Sequence, residues 1–127
     1  MKIFALIFTL ILSATALSAA AFEKTAAFKT TQVVFGAEQP LTVGMNTLKL
    51  NVTQKGVPVG DAKVMVKVFM PEMPGMPYME YVPNAEPRGG GEYRATLNFA
   101  MPGTWQLHIF IETADGRKLR LKSSVNL

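Results

Sequence analysis

The sequence predicts an all-β protein built as an antiparallel sandwich. Several stretches alternate apolar and polar residues with a period of two, which is the pattern of a strand with one buried face. Glycine and proline turns separate these stretches, and no window after residue 22 has convincing helical periodicity. Six to seven short antiparallel strands in about 100 residues are typical of two packed sheets, so we expect an immunoglobulin-like β-sandwich.

The predicted strands differ in the strength of their alternation. Two are weak, near 31–35 and 79–82, and the segment 23–31 is expected to be a lead-in arm. The well-marked strands are 47–52, 64–69, 93–99, 105–112 and, after the hairpin signal Asp115-Gly116, 118–125. If strand 79–82 forms, alternating strand directions place the loop 70–79 and the turn 101–104 at one end of the sandwich. Without that strand, the two loops lie at opposite ends.

The N-terminus has the layout of a secretory signal peptide. Met1 and Lys2 precede an apolar stretch from Ile3 to about Leu17, and small residues follow up to Ala21. We therefore expect residues 1–21 to be a signal peptide, with a periplasmic or secreted product. The uncharged stretch 3–22 is just long enough to span a bilayer, so an uncleaved membrane anchor is the alternative.

Composition limits what the mature chain can be. Residues 22–127 are enough for one domain with one core, which we expect to be the β-sandwich. The chain has no cysteine, which excludes disulfides, thiolate metal sites and a cysteine nucleophile. The net charge of +4 falls to +3 without Lys2, and charges of both signs are spread along the sequence. This is not the clustered basic sequence that indicates a nucleic-acid-binding protein. With no nucleophile motif, phosphate loop or zinc pattern, we expect no enzyme.

One loop carries chemistry beyond packing: its methionines stand three residues apart in Met70-Pro-Glu-Met73-Pro-Gly-Met76-Pro-Tyr-Met79. Thioethers are soft ligands suited to Cu(I). A straight polyproline II run would space the sulfurs roughly 9 Å apart, too far for one ion. Pro74-Gly75 predicts a type II turn that brings the Cα atoms of Met73 and Met76 to within about 7 Å. A third ligand would be Met70, Met79 or Met101.

A second turn, Met101-Pro-Gly-Thr104, precedes two further candidates. His108 is the sole histidine, and a neutral imidazole is a good Cu(I) ligand; the alternative is an exposed or merely packed side chain. Trp105 could offer its ring to a soft cation, but alternation sends it inward and His108 to the opposite face. The methionine loop itself has two other interpretations, a flexible plug for the core or an exposed surface for a partner protein.

Ordered short motifs between Pro58 and Ile111 carry a resemblance to a known family. They are Gly60-Asp-Ala62, the valine alternation, Met70-Pro-x-Met73-Pro-Gly-Met76, Gly91-x-Tyr93 and Met101-x-Gly103-x-Trp105. This order resembles the YtkA-like (FixH-like) domain, most closely its exported copper-resistance members such as the copper resistance determinant CrdA. The resemblance implies a periplasmic β-sandwich associated with heavy-metal efflux or with copper delivery for oxidase assembly. FixH itself is membrane-anchored, and the cleavable signal predicted here departs from that.

These observations lead to two functional hypotheses. The first is a non-enzymatic periplasmic protein that binds Cu(I), or Ag(I), through Met73 and Met76 with Met70, Met79 or Met101. It would buffer the ion or pass it to an efflux pump. The second is a metal-free adaptor whose methionine loop docks on a membrane partner, such as an efflux pump or the oxidase assembly machinery. No nucleic-acid partner and no small-molecule substrate are inferred.

Overall fold

The computed structural model describes residues 22–127, and the predicted signal peptide, residues 1–21, lies outside the described residues. The described chain consists of strands, turns and loops, and no helix in it is long and apolar enough to cross a membrane. Its strands are β1 Phe22–Phe28, β2 Thr31–Ala37, β3 Gly44–Gln54, β4 Val57–Pro58, β5 Lys63–Met70, β6 Met79–Tyr81, β7 Asn84–Gly89, β8 Glu92–Phe99, β9 Thr104–Glu112 and β10 Lys118–Asn126.

The strands form a sandwich that is nearly closed into a barrel, which confirms the predicted fold class, but residues 22–127 hold ten strands rather than the six to seven expected. Every pairing is antiparallel, in the order β1-β2-β3-β8-β7-β5-β9-β10, with β4 added to β3 and β6 to β5. Strand β7 makes the corner, because Ala85 pairs with β5 while Glu86 pairs with β8. At the opposite side β1 lies beside β10, where the Lys24 ammonium donates a hydrogen bond of 2.8 Å to the Ser124 carbonyl.

Alternation places one face of each long strand in a shared core. The predicted inward position of Trp105 is confirmed, since its side chain is 1% exposed and its ring meets that of Phe99 edge-on at 5.4 Å. The largest fully buried side chains come from both sheets. They include Phe35, Leu48, Leu50, Tyr93, Leu97, Phe99, Leu107, Ile109 and Leu121. This continuous apolar core holds the ends of the sandwich, where the loops lie, in fixed relative positions.

The prediction that residues 23–31 form a lead-in arm was wrong. Residues 22–28 form β1, which pairs with β2 from Phe22 opposite Ala37 to Phe28 opposite Thr31 and buries Ala26. The segment has no clean apolar alternation, so pairing with β2 rather than its own pattern makes it a strand.

The Asp115-Gly116 hairpin also differs from expectation. Its strands first pair at Glu112 and Lys118, which leaves a five-residue loop in place of a two-residue turn.

A buried tyrosine fixes the segment that leads into β5. The Tyr93 hydroxyl donates a hydrogen bond of 2.8 Å to the Val59 carbonyl and accepts one of 3.1 Å from the Ala62 amide. The Ala62 amide is buried, so it depends on this hydroxyl rather than on water, and the Val59 carbonyl is partly buried beside it. Tyr93 thereby positions the start of β5, the strand that carries Met70 at its other end.

We expect Tyr93→Phe to lower the free energy of unfolding by about 1–3 kcal/mol, because it leaves the buried Ala62 amide without its acceptor. Urea unfolding measures the change. Tyr81→Phe is the matched control, since the Tyr81 hydroxyl has no hydrogen-bond partner among residues 22–127, and it should change stability little. Equal stability of Tyr93→Phe and the parent protein would contradict the role given to this hydroxyl.

Candidate metal centre

The methionine run folds into a hairpin that pairs its methionines across two arms. Met70, the last residue of β5, lies opposite Met79, the first residue of β6. Met73 and Met76 form a second, isolated bridge nearer the tip. Both pairs belong to one register, because each partner stands equally far from the central dipeptide Pro74-Gly75. The three-residue spacing along the sequence therefore produces two cross-strand methionine pairs.

The predicted turn at Pro74-Gly75 is present. Gly75 has φ +81°, the left-handed value that a type II turn requires at its second central residue. Met73 and Met76 exchange two backbone hydrogen bonds, of 3.0 Å from the Met73 amide and 2.8 Å from the Met76 amide. In such a pair the Cβ atoms are about 5 Å apart, so the two side chains start from neighbouring points.

The ladder is interrupted between the two methionine pairs. Pro71 and Pro77 stand one on each arm, and neither has an amide hydrogen to donate. A type II turn also splays the arms of a hairpin, which limits regular pairing next to it. The Met73–Met76 pair thus lies about 10 Å beyond the Met70–Met79 pair along the arms, three residues of extended chain.

The candidate methionines differ in exposure. Met70 is 4% exposed and belongs to the core, whereas Met73 at the tip is 47% exposed. Met76, Met79 and Met101 lie between these extremes, partly buried against the core. Packing of Met76 against the core shows that the tip of the hairpin does not point straight into solvent. Exposure of the methionine side chains therefore decreases from Met73 at the tip of the hairpin to the buried Met70 at its base.

The hairpin and the turn 101–104 lie at the same end of the sandwich. Strand β6, on which this arrangement depended, is formed, and a Cβ atom on Gly103 would lie 3.0 Å from the Met70 methyl carbon. The Trp105 indole donates a hydrogen bond of 3.0 Å to the Met101 carbonyl, which ties the turn to a core side chain. Met101 is thereby fixed beside the end of β5, within the same loop cluster as the hairpin.

His108 lies on the other face of the sheet. Its ring contacts those of Phe69, with centroids 4.9 Å apart, and Phe110, at 6.2 Å. Its cross-strand partners are Lys67 and Lys122. The buried thioether of Met70 points into the core instead. The structure therefore brings the methionine candidates to one end and leaves His108 among aromatic and cationic side chains.

The surroundings of His108 favour its neutral form. Partial burial, followed by the positive charges of Arg120, Lys122 and Lys67, lowers the pKa of His108 below its usual value. A further cation bound at this imidazole would meet the same repulsion from the three basic side chains. His108 stays a predicted ligand, but its setting favours it less than the methionines.

A group of polar contacts joins the outer side of the hairpin to β5, and the sequence analysis did not predict it. The Tyr78 hydroxyl donates a hydrogen bond of 2.9 Å to Glu80, and Lys67 lies 3.4 Å from the same carboxylate. The Tyr78 ring rests near Phe69, with centroids 6.0 Å apart. The hydrogen bonds from Tyr78 and Lys67 lower the pKa of Glu80. Phe69 precedes the inward Met70, and Tyr78 precedes its partner Met79. Once the register was known, alternation could have indicated that Phe69 and Tyr78 meet on the outer face.

Across residues 22–127, histidine, aspartate and glutamate side chains form no group of three that could hold a metal ion. The thioethers are the donor set that the described loops do bring together. Fold and loop together define a small β-sandwich domain with a methionine hairpin at one end.

Comparison with known proteins identifies the family. The sequence matches the YtkA-like family over residues 25–110, and the chain belongs to that family. The match is to the family as a whole and does not single out its copper-resistance members. No match is found among curated proteins.

Two solved structures share the fold. One is a DUF4426 family protein from Pseudomonas aeruginosa PAO1, with 14% identity, coverage of 83% of this chain and 94% of that chain, and a TM-score of 0.56. The other is the PmoD soluble domain from Methylocystis sp. ATCC 49242 (Rockwell), with 11% identity, coverage of 80% and 95%, and a TM-score of 0.55. At these identities the likeness shows the fold alone.

We expect Gly103→Ala to disturb Met70 specifically. The new methyl group would press on the Met70 methyl carbon, and φ +136° at this position strains any residue with a side chain, at a cost of about 1–3 kcal/mol. Methyl NMR of labelled methionine should show the Met70 resonance shifted. Gly75→Ala is the control, because it strains a turn of φ +81° with no atom within 4 Å of its new Cβ. An unmoved Met70 signal in Gly103→Ala would contradict the close contact.

We also expect stability to depend on His108 in mild acid. Its pKa is lower in the folded than in the unfolded protein, so the unfolded state binds the proton first as the pH falls below about 6.5. Stability is therefore lost between the unfolded pKa and the lower folded one. Unfolding of the parent and of His108→Gln, compared from pH 7.5 downward, should show the parent losing more free energy. A parent protein that gained stability over His108→Gln in this range would contradict the assignment.

Proposed function

We propose that this chain is a non-enzymatic periplasmic copper-binding protein that buffers Cu(I) or hands it over through its methionine hairpin, in copper resistance or efflux. Ag(I), which shares the preference for soft ligands, is a second candidate ion. The observation that carries the proposal is the Met73–Met76 pair, held opposite one another by the Pro74-Gly75 turn. The donors it offers are neutral thioethers, which suit Cu(I).

The third ligand would be a further methionine from the same end of the sandwich, whose flexible side chain would have to reach the Met73–Met76 pair; Met70 and Met79 start about 10 Å away along the arms. Met70, Met79 and Met101 are the candidates, since β6 and the Gly103 contact place their loops together. An exposed Met73 at the tip would meet the ion first, and partly buried thioethers behind it would complete the set. His108 is the least favoured candidate ligand, because it lies on the other face of the sheet near Arg120, Lys122 and Lys67.

Thioether chemistry fits a buffering or transfer role. These ligands carry no proton near neutral pH, so mild acid does not compete with the metal as it does at histidine or thiolate sites. They also leave the charge of the ion uncompensated, which favours modest affinity and ready release to a stronger site. Membership of the YtkA-like family supports this setting, because the sequence resemblance implies heavy-metal efflux or copper delivery for oxidase assembly. An efflux pump or oxidase assembly component would be the recipient.

The second hypothesis, a metal-free adaptor, is favoured by a different observation. The hairpin exposes large apolar side chains, with Met73 at 47%, Tyr78 at 45% and the nearby Val82 at 42%. Such side chains on an adaptable loop suit a protein–protein contact. A membrane partner would then bind the hairpin directly, without an ion.

Titration of the purified protein with Cu(I) against a competing chelator distinguishes the two hypotheses. We expect the parent to compete at micromolar metal and Met73→Leu/Met76→Leu to lose at least about ten-fold in affinity, since loss of even an outer-shell partner can cost this much. Leucine is close to methionine in volume, so the fold should persist. Met45→Leu/Met65→Leu is the matched control, because both residues are exposed and lie outside the hairpin and the 101–104 turn.

Two results would count against the copper proposal. Unchanged affinity of Met73→Leu/Met76→Leu would show that the hairpin tip is not the site. A parent protein that fails to compete at micromolar Cu(I) would favour the adaptor.

A further inference from the structure

The outer face of the sheet formed by β5, β9 and β10 concentrates positive charge. Lys118, Arg120 and Lys122 alternate along β10 and are all exposed, while Leu121 between them is buried. Cross-strand pairing sets Lys122 beside His108, which in turn lies beside Lys67. Residues paired directly across strands share a face of the sheet, so these basic side chains stand together.

This face holds the excess charge of the described chain. Five cations lie on it, and two carboxylates, Glu80 and Glu112, oppose them, which leaves +3, the same as the net charge of residues 22–127. The five cations are Lys63, Lys67, Lys118, Arg120 and Lys122. The other charges of residues 22–127 balance in number, seven cations against seven carboxylates. On the other sheet, Lys49 at 3.1 Å and Arg94 at 3.7 Å share the carboxylate of Glu92. The three basic residues of β10 have no ion-pair partner within residues 22–127.

A groove runs between this row of cations and β1. The ring of Phe110, half-buried, and that of Phe28, 41% exposed, give it apolar walls. Lys118, Arg120 and Lys122 line the same groove from β10. We call it the basic groove. It combines an apolar strip with positive charges at regular intervals. Each feature is common on protein surfaces, but together they favour a ligand that carries both negative charges and apolar groups.

We propose that the basic groove binds an extended acidic segment of a partner protein, with carboxylates at alternate positions and an apolar side chain between them. Alternate residues of β10 repeat at about 6.6–6.8 Å, which is also the spacing of alternate residues in an extended peptide. Each carboxylate of the segment can therefore meet one basic side chain of β10. Side chains of an extended segment alternate between its two faces, so the apolar residues then face the wall opposite the β10 cations, where Phe28 of β1 lies.

A peptide fits this groove better than a flat anionic membrane does. Membrane binding through aromatic side chains requires them to project beyond the charged groups. Phe110 does the opposite, because it is half-buried in the sheet while its cross-strand partner Arg120 is exposed. A single extended chain can approach this ring between the basic side chains more closely than a flat bilayer surface can.

The basic groove is connected to the methionine hairpin by a row of rings. Tyr78 of the hairpin lies near Phe69, Phe69 contacts His108, and His108 lies beside Phe110. A partner docked in the groove would therefore lie on the same outer face as Tyr78, three ring contacts away from the hairpin. Its role as a metal recipient rests on the proposed function, whereas the peptide binding itself does not.

The test uses metal-free mature protein and the acetylated, amidated peptide EVEFEVE, with KVKFKVK as the opposite-charge probe. We expect saturable binding of EVEFEVE only, weakened by added salt, with amide NMR shifts centred on Phe110 and Arg120. Arg120→Gln/Lys122→Gln should weaken binding roughly two- to thirty-fold, the range for loss of two exposed ion pairs. Phe28→Ser should also weaken it, through the apolar wall.

Lys55→Gln/Arg88→Gln is the matched control, because it removes the same charge from positions outside the groove and should leave binding unchanged. Thermal unfolding checks that each variant is folded. Equal weakening by the control would overturn the proposal, because binding would then follow net charge alone. The proposal would also be overturned if EVEFEVE did not bind, or if phosphatidylglycerol vesicles bound with the same dependence on Arg120 and Lys122 while the peptide did not.

Discussion

The hairpin register set by the Pro74-Gly75 turn is the constraint on which the candidate site depends. Because the turn has two central residues and the methionines stand symmetrically around it, Met73 meets Met76 and Met70 meets Met79. A slip of one residue would set Met73 opposite Pro77 and would separate both pairs. The regular spacing in sequence becomes a pairing in space only through this register.

The rest of the sandwich supports the hairpin from both sides. On the inner side, Met70 belongs to the core and contacts the turn at Gly103, which lacks the Cβ that would crowd it. On the outer side, Tyr78 and Glu80 join the hairpin to Lys67 and the Phe69 ring. The hairpin is thus held at its base, while the thioether of Met73 at its tip stays accessible. The proposed uptake and release of an ion would need both properties.

Much of the fold and part of the site could be predicted from sequence, because strand alternation and turn chemistry are local signals. The inward position of Trp105 and the turn at Pro74-Gly75 follow from such signals alone. Strand β1 could not be predicted, since its residues become a strand only by pairing with β2. Strand β7 contains Pro87 and changes sheets, which the local pattern does not reveal. The basic groove needed the register of β9 and β10, which sets Arg120 beside Phe110.

X-ray absorption at the copper edge of the Cu(I)-loaded protein tests the central claim most directly, because it reports which atoms surround the ion. We predict a first shell of sulfur atoms alone, since the chain has no cysteine and the proposed ligands are methionine thioethers. The sulfur signal should disappear in Met73→Leu/Met76→Leu. A first shell of nitrogen or oxygen in the parent protein, or a sulfur shell that survives this double substitution, would contradict the account.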